Sequence, residues 1–107
     1  MSYNAVLSVE GNPINGQYRV TLGDTLTSLV GLGIPITVGT MKAVSVLVSV
    51  ETYNARVSYG TNKPGVLGHV LAVGAAYDIN GATPVAALKL GNATAGSNAV
   101  VEVTVFF

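Results

Sequence analysis

Cysteine, tryptophan and charge are the scarce ingredients of this 107-residue sequence. It has no Cys and no Trp, a single His, and only 9% charged residues, with five Lys and Arg balancing five Asp and Glu. The absence of cysteine excludes a disulfide framework, thiolate metal sites and a cysteine nucleophile. Because a typical soluble domain carries about 25% charged residues, we expect an unusually neutral exterior, suited to contact with other protein.

The same scarcity argues against nucleic acid and membrane as partners. No basic stripe is present that would release counterions from a phosphate backbone. The longest apolar stretch, AVSVLVSVETYNARV, follows Lys42 and is interrupted by Glu51 and Arg56, well short of the ~20 apolar residues that span a bilayer. MSYNAVLSVEG lacks the basic start and continuous apolar core of a secretory signal. We therefore expect neither a membrane span nor a signal peptide.

Glycine and proline, by contrast, are frequent and separate short β-branched runs. Thirteen Gly and four Pro in this arrangement are typical of an all-β domain with short strands. We predict one domain over residues 1–107, an antiparallel β-sandwich or jelly-roll-like fold of about eight short strands. The predicted strands lie in AVLSVE, QYRVTL, ITVG, MKAVSVLVSVE, TYNARVSYG, HVLAVG, AYDI, PVAALKL and AVVEVTVFF.

Two of these segments carry more detailed expectations. In MKAVSVLVSVE, alternation places Val44, Val46, Val48 and Val50 on one face. GDTLTSLVGLG, between strands, has Leu26, Leu29 and Val30 at helical spacing. Its length predicts a single helical turn there.

The sequence ends on NAVVEVTVFF, a strongly β-prone stretch that is an aggregation hazard when uncovered. Alternation divides it into two faces. We predict that the first face points into the core, with Phe107 closing it, and that Phe106 on the second face is covered by a neighbouring subunit. The inner set is Ala99, Val101, Val103, Val105 and Phe107, and the outer set is Val100, Glu102, Thr104 and Phe106.

Groups that could perform catalysis are few. His69, the single histidine, opens a strand after Gly68, where a structural or partner-contacting role is favoured over catalysis. The carboxylate pairs Glu51 with Glu102 and Asp24 with Asp78 have no spacing that favours them as a catalytic pair. We assign no catalytic, metal or cofactor residues and expect a protein that is not an enzyme.

Other short patterns have a structural interpretation. Gly-rich VGLG and YGTNKPGVLG lack the order of a phosphate-binding loop. Asn92-Ala93-Thr94 matches the N-glycosylation acceptor, as one chance match among many Asn, Ser and Thr. The tyrosines in or beside strands are expected to pack on sheets, with a carbohydrate platform as the alternative.

From Ala55 onward the chain contains ARVSYG, then KPGVLGHVLAVGAAYDING, then VAALKLGNATAGSNAVVEVTVFF. This order resembles small virion structural proteins of tailed bacteriophages, over roughly the C-terminal half. The resemblance implies a capsid decoration (cement) protein, made in the host cytoplasm and located on the capsid surface. Its implied partners are the major capsid protein and neighbouring copies of itself, with a trimer among the closed arrangements. A tail, neck or fibre-associated module and a lectin-like β-sandwich are the alternatives.

Two sets of residues are the candidate partner contacts. The loop Thr61–Leu67 contributes Lys63, its one charged residue, with Val66 and Leu67. The last strand contributes its outer set: Val100, Glu102, Thr104 and Phe106.

Overall fold

The computed structural model describes residues 16–59 and 69–107, and these form an antiparallel β-sandwich. Two four-stranded sheets face each other, and a small two-stranded hairpin and one short helix accompany them. The elements are β1 (Gly16–Thr21), β2 (Thr27–Ser28), β3 (Thr37–Val38), β4 (Met41–Lys42), β5 (Ser45–Thr52), β6 (Ala55–Tyr59), β7 (His69–Leu71), β8 (Ala76–Asn80), α1 (Ala82–Ala87), β9 (Leu88–Asn92) and β10 (Val100–Phe106). The predicted all-β sandwich is therefore confirmed. The predicted strand AVLSVE lies outside the described residues.

The first sheet has the strand order β1-β10-β5-β8, with every neighbouring pair antiparallel. The last strand of the sequence, β10, is consequently an inner strand of this sheet. Its backbone pairs with β1 on one side and with β5 on the other. The edge hazard expected for NAVVEVTVFF is thus removed within the chain, because both rows of backbone groups have partners.

The second sheet has the order β2-β9-β6-β7, and the core lies between the two sheets. Val48 and Val103 from the first sheet and Val57 and Leu90 from the second are all fully buried in one apolar cluster. The predicted inner set of the last strand is confirmed, since Ala99, Val101, Val103 and Val105 are buried and Phe107 packs against the same cluster.

Strand β5 differs from its predicted alternation at one residue. Val46, Val48 and Val50 are buried as expected, but Val44 is 51% exposed. The strand begins only at Ser45, so Val44 precedes the regular pleat. Ala43 is buried in its place, and the prediction for Val44 was wrong because alternation holds only within a continuous strand.

The segment 82–92 also differs from its prediction. PVAALKL was expected to be one strand, whereas residues 82–87 form α1 and β9 begins at Leu88. Gly81 starts the helix at φ 108°, where a Cβ would also lie 3.1 Å from Pro84 Cδ. Proline in the first helical turn loses no backbone bond, and Val85, the buried residue of α1, anchors the helix to the core.

The segment 24–34 folds as a short strand followed by hydrogen-bonded turns. β2 covers Thr27–Ser28, and the Leu32 N–H then donates to the Ser28 carbonyl at 3.0 Å, which closes a single helical-type turn. Leu26 and Leu29 are buried, as their spacing predicted, but Val30 is 63% exposed. A single turn buries only those of its side chains that lie on the side facing the sheets.

A tyrosine pair links the two sheets at one side of the sandwich. The Tyr59 and Tyr77 hydroxyls, from β6 and β8, share a hydrogen bond of 2.8 Å. Partial burial of Tyr59, which is 39% exposed, together with this bond and the nearby Tyr77, raises the pKa of Tyr59 to about 12. Because the folded-state pKa is raised, the stability that this tyrosine contributes is present below pH ~10 and is lost as the pH rises through about 12.

We expect the Tyr59 phenol to be the late-titrating group in an ultraviolet titration of the folded protein. The absorbance step near pH 12 should disappear in Tyr59→Phe. The matched change Tyr53→Phe, at a side chain that is 55% exposed, should leave that step in place. Persistence of the step in Tyr59→Phe would show that another group produces it.

Candidate functional site

The outer face of the first sheet is the candidate binding surface, because it contains the predicted contacts from the last strand. Side chains that alternate away from the core are exposed or half-buried on all four strands. The outer face comprises Gln17, Arg19 and Thr21 of β1, Val100, Glu102, Thr104 and Phe106 of β10, Ser45, Leu47, Ser49 and Glu51 of β5, and Ala76, Asp78 and Asn80 of β8. The four predicted residues of β10 thus run along the middle of this face.

The candidate loop contacts cannot be related to this face. Lys63, Val66 and Leu67 lie outside the described residues. Their assignment as partner contacts stays a prediction.

Charges on the outer face are few and mostly negative. Arg19 makes an ion pair with Glu51 across β10, and Glu102 lies directly opposite Arg19 in the strand register. Asp78 lies on β8 at the far side of the face. Since an exposed ion pair contributes only about 0–1 kcal/mol and Arg19 is 69% exposed, this pair contributes little to the stability of the fold. It leaves a face on which carboxylates outnumber the cation.

Two of the larger apolar side chains of the outer face, Leu47 and Phe106, lie towards one end, whereas Val100 lies at the other end. Phe106 pairs with Ser45 in the register, which puts Leu47 diagonally beside it on the same face. Leu47 is 38% exposed and Phe106 is half-buried. Val44, which directly precedes Ser45 in the chain, is also exposed, and its backbone N–H donates to the Phe106 carbonyl at 2.8 Å. Phe106, one of the predicted partner contacts, is therefore partly covered by its own sheet. The rest of its side chain, with Leu47 and Val44, remains as exposed apolar surface.

A polar cluster at one end of the sandwich was not predicted from the sequence. The Asn92 side chain, only 7% exposed, donates to Asp24 Oδ1 and to Asn98 Oδ1, each at 3.0 Å. Its own Oδ1 accepts the Ala99 N–H at 2.8 Å, and the Gly96 N–H donates to Asp24 Oδ1 at 2.9 Å. These bonds tie two loops to the end of β9.

This cluster explains Asn92 and Asp24 as structural residues. The Asn92 amide hydrogens are used internally, which is incompatible with glycosylation of that nitrogen in the folded chain. The Gly96 N–H, and after it the Asn92 amide, lower the pKa of Asp24 below its usual 3.8. The run of Asn and Gly in GNATAGSNA was the available signal, but a sequence does not show that Asp24 meets it from 68 residues away.

The catalytic candidates are separated or open to solvent. His69 is exposed at the start of β7, where it pairs with Val57 in the register. Glu51 and Glu102 do share the outer face, but on an open sheet around Arg19. Asp24 belongs to the polar cluster and Asp78 to the edge strand β8. Within residues 16–59 and 69–107, no group of three His, Cys, Asp or Glu is placed to hold a metal ion.

None of the helices in the described part of the chain has the length and apolar character needed to cross a membrane.

A groove of about 480 Å³ lies between the β3–β4 hairpin and α1. Its walls are apolar apart from two threonines and Lys42. It is lined by Ile36, Thr37, Lys42, Ala43, Ala82, Thr83, Val85, Ala86 and Ala87. The sequence did not predict this groove because one of its walls, α1, was predicted to be a strand.

Comparison of the chain with protein-family models, with curated proteins and with solved structures found no match in any of the three.

Proposed function

We propose that the chain is a non-enzymatic structural component of a tailed-phage virion, a decoration (cement) protein that binds the assembled head shell and stabilises it. Its partners in this proposal are the major capsid protein and neighbouring copies of itself. It is made in the host cytoplasm and resides on the capsid surface. The sequence resemblance of ARVSYG, the GHVLAVG segment and the NAVVEVT segment supports this assignment.

One structural observation carries the proposal further than the sequence: the outer face of the first sheet. It is a broad four-stranded surface with a sparse, net acidic charge and an apolar end at Leu47 and Phe106. Protein interfaces are depleted in charge at their centre and gain most of their energy from a few apolar anchors. A shell subunit that offers basic and aliphatic side chains complements this face.

Stabilisation of the shell then follows from mass action. A protein that binds the assembled shell but not free subunits lowers the free energy of the assembled state. A rigid sandwich with a core of interlocked valines loses little conformational entropy on binding. The proposal needs no reactive group.

The proposal is tested by binding purified protein to shells assembled without it. We expect Leu47→Lys to weaken binding about tenfold or more, because it places a cation at the apolar end of a contact surface. The matched control is Val70→Lys on β7 of the second sheet, where the side chain is 51% exposed. Both changes are at exposed positions, so unfolding midpoints should stay close to the wild type.

The outcomes separate the alternatives. Wild-type protein that does not bind shells, or Leu47→Lys protein that binds as well as wild type, contradicts the proposed role or its face. Copy numbers on the order of hundreds per particle fit decoration, whereas about 3 to 12 copies indicate a tail, neck or fibre module. Clear sugar binding on a glycan array would instead favour the lectin-like alternative.

A further inference from the structure

The first sheet ends on two strands, β1 and β8, whose outer edges carry complementary features. The Leu22 N–H donates to the Ala99 carbonyl at 2.7 Å, which continues the β1–β10 ladder. Hydrogen bonding alternates along a strand. The backbone N–H and C=O groups of Gln17, Arg19 and Thr21 therefore point away from β10, towards the edge.

The same argument applies to β8. The Val50 N–H donates to the Ala75 carbonyl at 3.0 Å, and the Gly81 N–H to the Val44 carbonyl at 2.6 Å. Tyr77 and Ile79, between them in the β5–β8 ladder, therefore bond to β5. The N–H and C=O groups of Ala76, Asp78 and Asn80 point to the edge, and none of the described residues bonds to them.

We propose that a second copy of this chain adds its β1 edge to the β8 edge, with Arg19 of one copy opposite Asp78 of the other. Strands alternate in direction across the sheet, so β8 is antiparallel to β1. Two copies side by side in the same orientation therefore pair these edges as an antiparallel ladder. Their outer faces then form one continuous surface.

The register of this ladder follows from the positions of the outward-pointing groups. With Arg19 opposite Asp78, Gln17 lies opposite Asn80 and Thr21 opposite Ala76, so all three outward-pointing residues of each strand find partners. A shift by two residues in either direction leaves one residue of each strand unpaired and separates the two charges. Arg19 reaches over β10 to Glu51, away from this edge, so pairing with Asp78 requires its side chain to turn outward and release Glu51. An exposed ion pair contributes only about 0–1 kcal/mol, so this exchange of partners costs little.

On the core side, the same register covers apolar surface that each edge leaves open. Tyr18 and Val20 of β1 and Tyr77 of β8 are only half-buried, although they pack against the core. Their counterparts on the inner strands, such as Val48 and Val103, are fully buried. The proposed pairing brings Val20 opposite Tyr77 and Tyr18 opposite Ile79.

The charges also select this pairing over the symmetric ones. A β1–β1 contact centred on Arg19 opposes two cations, and a β8–β8 contact centred on Asp78 opposes two carboxylates. Like charges directly opposite each other destabilise a strand pair, and a charge on an edge strand is a common guard against self-pairing. Here the edge charges are of opposite sign, Arg19 on β1 and Asp78 on β8, so they disfavour only the symmetric β1–β1 and β8–β8 contacts.

A head-to-tail contact of this kind repeats until it closes into a ring or continues as a filament. A closed ring leaves no free edge on the first sheet. The inference deepens the proposed function and rests on it for its biological setting, since it supplies the contact between neighbouring copies. The contact itself is measured without any shell.

Sedimentation velocity on the full-length protein over a range of concentrations tests the pairing. We expect the wild-type chain to associate, and Arg19→Asp and Asp78→Arg each to raise the dissociation constant about tenfold. The double variant should return to wild-type association. An equimolar mixture of the two single variants should also associate, because each then offers the edge that the other lacks.

Lys42→Asp is the matched control for Arg19→Asp, since it makes the same change of charge on β4, which belongs to the separate two-stranded hairpin and not to the first sheet. It should associate as the wild type does. A monomeric wild-type chain overturns the proposal. Equal association of wild type and both single variants, or a double variant that stays as weak as the singles, also overturns it.

The shell-binding and sedimentation experiments can each contradict one proposal without contradicting the other. A chain that associates through these edges but ignores shells refutes the decoration role alone. A chain that coats shells but stays monomeric in solution, with no effect of the charge swap, refutes the edge pairing alone.

Discussion

Replacing Leu90 with alanine is expected to lower the free energy of unfolding by about 2–5 kcal/mol. Leu90 is fully buried on β9, in the cluster formed by both sheets. The loss combines the transfer free energy of the deleted atoms with the cost of a cavity that closely packed neighbours fill only in part. Against a total stability of ~5–15 kcal/mol, this is the largest effect we expect from a single conservative change.

Urea unfolding of Leu90→Ala, followed by circular dichroism, measures this effect as a lower midpoint at unchanged slope. Leu47→Ala removes the same atoms from a side chain that is 38% exposed on the outer face. Its cost should stay below about 1 kcal/mol. Equal midpoints for the two variants would contradict the assignment of Leu90 to the core.

The second large effect is expected from Asn92→Leu, which keeps the approximate size of the side chain but removes its polar atoms. The Ala99 N–H then loses its acceptor in a buried position, which costs about 1–3 kcal/mol. The loop that contains Asn98 also loses its hydrogen bond to the end of β9. We expect a lower urea midpoint and faster amide exchange around Ala99.

The same variant should change how stability depends on acid. The pKa of Asp24 is lowered by the Gly96 N–H and by the Asn92 amide. A lowered folded-state pKa contributes stability above pH ~3.8 that is lost as the pH falls through the lower value. Without the Asn92 amide, the pKa of Asp24 moves back towards 3.8, so the loss of stability as the pH falls below 3.8 should be smaller than in the wild type.

Asn80→Leu is the matched control, because Asn80 is exposed on β8 and belongs to the outer face. Its free energy of unfolding should stay within about 0.5 kcal/mol of the wild-type value, and the acid dependence of its stability should match that of the wild type. If Asn92→Leu unfolds at the wild-type midpoint, the polar cluster does not stabilise the fold.

In α1 the structure differs from what the local sequence pattern predicts. PVAALKL contains β-branched and aliphatic residues at a spacing that suits a strand, and Leu88 and Leu90 do lie in one. Gly81 at positive φ and Pro84 in the first turn nevertheless favour a helix over residues 82–87. The helix forms because Val85 reaches the core from there, which no local propensity encodes.

The candidate site divides in the same way. Alternation in β10 correctly separates the buried residues, such as Val103, from the outer residues, such as Glu102. It did not show that Arg19 lies beside Glu102 and reaches Glu51, because those contacts depend on which strands become neighbours. The polar cluster around Asn92 was missed for the same reason.

The ending NAVVEVTVFF illustrates what each level decides. The fold class and the inward and outward faces of this strand follow from the amino-acid pattern, because side-chain direction alternates with a period of two and apolar residues follow it. The position of the strand between β1 and β5, where its own chain covers both of its edges, becomes visible only in the folded protein. Strand neighbours are chosen by packing and chain path between residues far apart in sequence, and a pattern of period two contains no information about them.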